Sequence, residues 1–451
     1  MNRLQDKSGF GVYRHHRRVL AASLVGTAVE FYDFYIYATA AALVFGPLFF
    51  PASNPSVQML GAYASFAVAF FARPFGAAVF GHFGDRIGRK STLVASLLLM
   101  GASTLLIAFL PTYETAGLLA PLLLCLLRFG QGFGLGGEWG GAALLAVENA
   151  PAGYEARFGM FPQLGAPIGF AAANGLFLVL GWLLSDEEFT TWGWRVPFLL
   201  SFVLVGLGLW VRLRLVETPA FRAALEAAPP ADVPIRDLVR DHLRATLAGT
   251  CSVIVCFAIF YVSTVFALGY GTTTLGYPRE TFLAVQVGAI AFMAFGILLA
   301  GAASDWLSPR AVLTAGCVAA IALGLAVPAA FAAESLVAIT AFLIAGLFVT
   351  GVTYAPLGAF LPMLFPARVR YTGSSLAMNI GGILGGGLAP VIAHSLVQHG
   401  GLFYVGMYIS IAGVISLVAL ACVRKPEPTL ADAAYDRARL PSQSVGPERW
   451  D

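Results

Sequence analysis

Glu30 and Asp33 stand three residues apart inside an apolar run that begins near Val19. On a helix that spacing puts both carboxylates on one face. Two carboxylates in one low-dielectric site resist ionising together, which suits a group that must carry a proton near neutral pH. The same spacing also suits a structural pair satisfied by nearby arginines. Arg73, Arg128 and Glu138 interrupt two further apolar runs. An ionisable side chain within a membrane span is costly, so it lines a cavity, pairs, or works. A guanidinium there presents a bidentate partner to a ligand carboxylate, or holds Glu30 or Asp33 instead. Gln131, three residues after Arg128, faces the same way and adds polar bonds. Glu138 either carries a proton or pairs with Arg73 or the first run. Arg73 binds a ligand or closes an ion pair. Arg195 lies near the end of its run, where snorkelling to the interface competes with ligand contact. Tyr32, Gln163, Asn174, Tyr261, Tyr354 and Asn379 are uncharged candidates for the lining of the same cavity. Gln163 and Asn379 stand out because they fall early in their runs.

Other chemistries find little support. The five cysteines, Cys125, Cys251, Cys256, Cys317 and Cys422, lie in apolar stretches and form no CxxC pair. They read as small apolar fillers. His82 and His394 are remote from any ligand cluster, so no metal site is expected. Gly130 to Gly137 has a glycine spacing reminiscent of nucleotide loops, but no strand precedes it. No Walker sequence is present. Neither a cofactor, nor an enzymatic activity, nor a nucleic-acid partner is expected.

The elements that must position these residues are membrane helices. Of 451 residues 58 % are hydrophobic and only 11 % charged, about half the charge of an ordinary soluble domain. Crossing the hydrocarbon takes about 20 apolar residues in a helix, or about 10 alternating residues in a barrel strand. The runs here are long and apolar all round. They predict twelve spans near 19–45, 60–80, 91–110, 117–146, 157–184, 193–213, 243–269, 281–303, 310–330, 335–363, 372–394 and 402–423. The first is too long for a signal peptide and lacks a convincing cleavage site.

Of the 27 lysines and arginines, all but Arg73, Arg128, Arg195 and Arg279 fall in segments on one side of these spans. The positive-inside rule then puts both termini in the cytoplasm, which requires an even number of spans. The proline- and charge-rich stretch from Glu217 to Arg244 separates two sets of six. The expected organisation is an N-terminal bundle at 1–216, a cytoplasmic linker at 217–242, a C-terminal bundle at 243–425 and a mobile tail at 426–451. The halves echo one another. GHFGDRIGRK at Gly81–Lys90 follows the second span, and GAASDWLSPR at Gly301–Arg310 follows the eighth. Two bundles repeated in parallel can rock about a central site, as alternating access requires.

The run Gly81–Lys90 combines a glycine-permitted reversal with Asp85, Arg86 and Arg89, which can bridge helix ends at the cytoplasmic face. Here the chain resembles the major facilitator superfamily, whose signature loop joins the second and third helices. In the second copy Trp306 stands where an arginine is usual and Ser308 where a glycine is usual, so that latch is expected to be weaker or differently paired. Asp305 and Arg310 are its charged members.

The resemblance narrows to the metabolite:proton symporter family. It rests on Glu30-Phe31-Tyr32-Asp33-Phe34, Arg73-Pro74-Phe75-Gly76, Arg128-Phe129-Gly130-Gln131-Gly132, Gly136-Gly137-Glu138-Trp139, Pro162-Gln163, Gly193-Trp194-Arg195-Val196-Pro197-Phe198 and Arg368-Val369-Arg370-Tyr371-Thr372-Gly373. It covers the chain to about Pro426. It implies an all-α membrane protein with the major facilitator fold that carries shikimate, a dicarboxylate such as 2-oxoglutarate, citrate, an aromatic acid, or proline and betaine, together with protons. It also favours substrate contact for Arg73 and keeps Arg195 among the candidates. The expected function is proton-coupled uptake of a small organic anion through the bacterial inner membrane, by a monomer surrounded by lipid. Symport of a zwitterionic osmolyte and export of a drug or metabolite are the alternatives, and a sensor without transport is a more distant one.

Overall fold

Where no water can bond the backbone, each apolar run must close its own hydrogen bonds, and a helix does so within one segment. Every regular element among the described residues is helical. The computed structural model describes residues 9–87, 89–136, 139–148, 150–151, 153–213, 238, 240–332, 335–366 and 369–423. Most of the expected linker, the tail and Glu138 lie outside them, and so do the side chains of Asp85, Arg86 and Arg89.

Among the described residues twelve long helices follow one another. α1 is Gly9–Ala40, continued through a π-helical turn at Ala41–Phe45 into Gly46–Phe49. α2 is Pro55–Ile87, α3 Arg89–Ile107, and α4 Leu119–Gly136, resumed at Trp139–Glu148. α5 is Glu155–Leu183 and α6 Val196–Leu213. α7 is Leu243–Tyr261, with a π-helical turn at Val262–Phe266 before Ala267–Thr273. α8 is Arg279–Trp306, α9 Pro309–Ala332 and α10 Leu336–Phe360. α11 is Arg370–Gly382, a π-helical turn at Ile383–Gly387 and Ala389–Gly400, and α12 is Leu402–Cys422. Eleven of these are long and apolar enough to cross a bilayer; α3 contributes a shorter apolar stretch, Val94–Ile107. Leu122, Leu126, Phe202, Leu325 and Val418 lie largely exposed on the outer faces of the bundle. In water such a surface would aggregate, whereas hydrocarbon solvates it.

Packing repeats between the halves. α1 packs on α5 and α6, α2 on α4, and α3 on α4 and α6; six helices later, α7 packs on α11 and α12, α8 on α10, and α9 on α10 and α12. Small residues permit the closest of these approaches. A Cβ at Gly76 would run into the Phe133 carbonyl, and one at Gly296, in the other half, into the Phe348 carbonyl. The halves meet where α5 packs on α8 and α10 and where α2 packs on α11.

Candidate functional site

The α2–α4 seam sets the geometry of the site. A Cβ on Gly132 would strike the Ala69 carbonyl, and one on Gly136 the Arg73 carbonyl, so the two backbones touch there. That approach brings Arg73 of α2 and Arg128 of α4 to the same ring of α1. The Arg73 guanidinium carbon lies 4.4 Å from the Phe34 centroid and that of Arg128 lies 4.3 Å from it. Arg73 also lies 4.2 Å from the Phe70 ring, and Arg128 lies 4.0 Å from Tyr37 and 5.0 Å from Phe66. Arg128 is fully buried and Arg73 nearly so. Among the described residues no carboxylate forms an ion pair with either. Arg73 Nε and Arg128 Nε and Nη2 have no hydrogen-bond partner among them. Aromatic faces stabilise the two cations, yet among the described residues neither has a counter-ion.

The opposite half contributes hydroxyls. Tyr261 of α7 and Tyr354 of α10, with Tyr35 of α1, lie within electrostatic range of Arg73. Tyr261 stands in an aromatic cluster with Phe66, Phe70 and Phe257. The assembly is thus a pair of cations walled by aromatic rings and shared by both bundles. It is suited to holding an anion by paired, charge-assisted hydrogen bonds.

Asp33 is buried one turn of α1 away from Glu30, which is also buried. The Ser201 hydroxyl of α6 donates to Asp33 Oδ1 at 2.6 Å. Gln131 ties the carboxylate segment to the cation pair. Its Oε1 accepts from Arg128, while its Nε2 donates to the Asp33 carbonyl at 2.8 Å and to the Thr104 hydroxyl at 2.9 Å. Gln131 therefore orients Arg128 and joins α1, α3 and α4.

The remaining candidates are more dispersed. The Tyr32 hydroxyl donates to the Pro197 carbonyl, within the N-terminal half. Gln163 donates to the Tyr354 carbonyl and Asn379 to the Gly136 carbonyl, and both bonds cross between the halves. Arg195 donates to the Leu110 carbonyl beyond the end of α3 and stacks 4.3 Å from Trp194, with no contact to Arg73 or Arg128.

Of the latch residues with described side chains, Asp305 crosses between halves. Its carboxylate accepts from the Ala156 and Arg157 amides in the first turn of α5, at 2.9 and 3.3 Å, and pairs with Arg157 Nε at 3.2 Å. The Arg157 guanidinium also lies 5.6 Å from the ring of Trp306, the residue that replaces the usual arginine. Arg310 instead bonds the Ala421 carbonyl, within its own half.

Sequence reasoning missed Phe34 and Tyr35, because five of the seven residues from Phe31 to Tyr37 are aromatic and periodicity does not single one out. It also missed Arg279, placed with the basic exceptions but given no role. Arg279 of α8 pairs with Asp186 at 2.9 Å and lies 3.9 Å over the Phe189 ring, on the short helix Asp186–Thr191 that follows α5.

The sequence profile of the Major Facilitator Superfamily matches residues 20–390. The chain is 49 % identical over 410 residues to the inner membrane metabolite transport protein YhjE of Escherichia coli (strain K12), covering 89 % of this chain and 93 % of that protein. It is 36 % identical over 387 residues to the shikimate transporter of the same organism, covering 85 % and 88 %. It is 31 % identical over 416 residues to the proline/betaine transporter of Salmonella typhimurium, covering 89 % and 82 %. Its fold is similar to the xylose transporter XylE from E. coli in a partially occluded inward-open conformation, with a TM-score of 0.68 at 14 % identity over 90 % of this chain and 96 % of that one.

Proposed function

The chain belongs to the Major Facilitator Superfamily, whose members are membrane transporters and not enzymes, and on that premise we propose that it couples inward proton movement to uptake of a small organic anion. The observation that carries the anion is the pair of buried guanidiniums, Arg73 and Arg128, over one phenylalanine ring with no carboxylate partner among the described residues. A substrate carboxylate between them supplies a counter-charge, and Tyr35, Tyr261 and Tyr354 give the same group hydroxyl donors. The relatives named for shikimate and for metabolites at large support this class.

Asp33, with Glu30, is the proton carrier in this reading, and Glu138 is a further candidate. Gln131 connects Asp33 to Arg128, so a proton gained at Asp33 changes the field and the backbone position at the cation that holds substrate. The halves then exchange which end is closed. The charge asymmetry of the loops supports an inner-membrane location with both termini in the cytoplasm, and one chain contains a whole pathway. Asp305 with Arg157 closes the cytoplasmic end, and Asp85, Arg86 and Arg89 belong to the same gate.

A zwitterionic substrate has one observation in its favour: aromatic walls suit a quaternary ammonium. Two fixed cations at the same ring oppose it. Reconstituted into liposomes with an imposed pH gradient, the wild type should accumulate labelled shikimate, an aromatic acid, 2-oxoglutarate or citrate in preference to proline. Asp33→Asn should abolish pH-driven accumulation while substrate binding persists. Unchanged pH-dependent accumulation in that variant removes Asp33 from the coupling role.

A further inference from the structure

We infer that a small cavity between the halves, next to the cation pair, is a hydrogen-bonding subsite for a hydroxyl group of the substrate, so that the transported anion is a hydroxy acid. The inference rests on the anion reading above and adds what lies at the other end of the molecule.

The cavity is lined by Tyr35 and Thr39 of α1, Asn174 of α5, Thr264 of α7 and Gln286 of α8, among apolar neighbours. It is small, with room for about one water molecule or one hydroxyl group. Tyr35 connects it to the cations, since the same side chain lines the cavity and its ring lies 6.2 Å from that of Phe34, the ring both guanidiniums face.

Its hydrogen-bonding capacity is specific. Asn174 is 1 % exposed. Thr39 donates to Asn174 Oδ1 at 2.6 Å, and Asn174 Nδ2 has no partner among the described residues. A buried amide left in this way is unfavourable unless something accepts from it. The Thr264 hydroxyl donates to the Phe260 carbonyl at 2.6 Å, so its proton is committed and its lone pairs are not. The same holds for Thr39, whose proton is committed to Asn174. Gln286 Nε2 is occupied with the Ser263 and Thr264 carbonyls of the π-helical turn, at 3.1 and 2.8 Å. Among these groups the site therefore offers the N–H donors of Asn174 Nδ2 and the lone pairs of two hydroxyls. An alcohol accepts one bond and donates another, and matches this set. A ketone or ether only accepts, an ammonium only donates, and a second carboxylate would meet no cation there. Because α1 and α5 belong to one half and α7 and α8 to the other, a hydroxyl bound here joins both bundles.

The test is calorimetric binding to the purified full-length protein with two matched pairs: cyclohexanecarboxylate against 3,4-dihydroxycyclohexanecarboxylate, and benzoate against 3,4-dihydroxybenzoate. The wild type should prefer the hydroxylated member of at least one pair by about tenfold or more, since a buried polar group left unpaired forfeits about that factor. Asn174→Leu should shrink the preference to within about threefold, and Thr264→Val should reduce it in part. Equal binding of both members of both pairs by the wild type overturns the subsite and needs no variant to be stable. A wild-type preference retained in Asn174→Leu overturns it as well. In both of those cases the anion reading stands. Absence of binding by all four acids overturns the anion reading and the subsite together.

Discussion

At the scale of single residues, the site is governed by how two cations survive in a low-dielectric interior. Desolvating an ion forfeits several kcal/mol even after relaxation, and a desolvated cation–π contact returns about 2 kcal/mol or more. Phe34 serves both Arg73 and Arg128 in this way. Arg128→Lys keeps the charge but loses the planar stack and the fork that meets Gln131, so anion affinity should fall by more than tenfold in a calorimetric titration. Affinity equal to wild type in that variant would exclude Arg128 from the substrate site. Gln131 shows how far residue-level reading reaches. Its position three residues after Arg128 was enough to predict that the two share a face. Only the neighbouring helices reveal that both ends of its amide are engaged, with Arg128, the Asp33 carbonyl and Thr104. A helical period gives an azimuth along one helix and says nothing of what lies opposite.

At the scale of elements, close helix approach and helix ends do the positioning. Gly132→Ala places a methyl group against the Ala69 carbonyl, so α2 and α4 must separate. Over-packing of this kind is worth about 1–3 kcal/mol. A lowered melting temperature together with weaker anion binding is expected, because Arg73 and Arg128 move apart; an unchanged melting temperature and affinity would show that the seam tolerates a Cβ. The short helix Asp186–Thr191 is held by a reciprocal cap, in which the Ser185 amide and hydroxyl donate to the Glu188 carboxylate and the Glu188 amide donates back to Ser185. Those bonds hold the Glu188 carboxyl below its ordinary range. A depressed carboxyl contributes stability above its unfolded pKa, about 4.3, and loses it as pH falls through the folded value. Amide exchange across Ser185–Thr191, corrected for intrinsic rates, should therefore quicken relative to its neighbours only below about pH 4. Equal protection in Glu188→Ala and wild type at pH 7 would contradict the cap. The spans themselves were legible along the chain as apolar runs, whereas the three π-helical turns among the described residues, at Ala41–Phe45, Val262–Phe266 and Ile383–Gly387, were not. Such a turn inserts one residue without a distinctive residue type, and the donors that meet the freed carbonyls come from elsewhere, as Gln286 does for Ser263 and Thr264.

At the scale of the molecule, α5 and α8 run antiparallel across the interface between the halves and are tied at both ends. At the face bearing Gly81–Lys90, Arg157 of α5 meets Asp305 of α8; at the other, Arg279 of α8 meets Asp186 and Phe189 just beyond α5. The first tie adds two amide bonds to the ion pair, and hydrogen bonds to a charged group contribute about 1.5–3 kcal/mol each. The second is more exposed at Asp186 and correspondingly weaker. Asp305→Ala should shift the population toward opening at the Gly81–Lys90 face, and Arg279→Ala toward opening at the opposite face. Spin-label distances across each end measure both, and shifts of the same sign in the two variants would refute a two-ended latch. Sequence reading placed Asp305 in a gate but paired it with no one. Its partner lies nearly 150 residues away, at the start of a helix in the other half.

The sequence by itself determined the solvent, the number of crossing helices, the duplication and the family. Each of these is written in runs of residues: hydropathy over about 20 positions, basic residues confined to alternate loops, and two loop motifs separated by six spans. It also determined that Glu30, Asp33, Arg73 and Arg128 must be answered by something, because a charge in hydrocarbon requires compensation wherever the chain goes. Tertiary structure alone decided what answers them. It put Arg73 and Arg128 on one aromatic ring and Asp33 beside Ser201. It left Arg195 at a helix end and drew Tyr35, Thr39, Asn174 and Thr264 into one cavity. The physical reason is that compensation depends on distance and orientation between helices far apart in the chain, set by where glycines let two backbones touch.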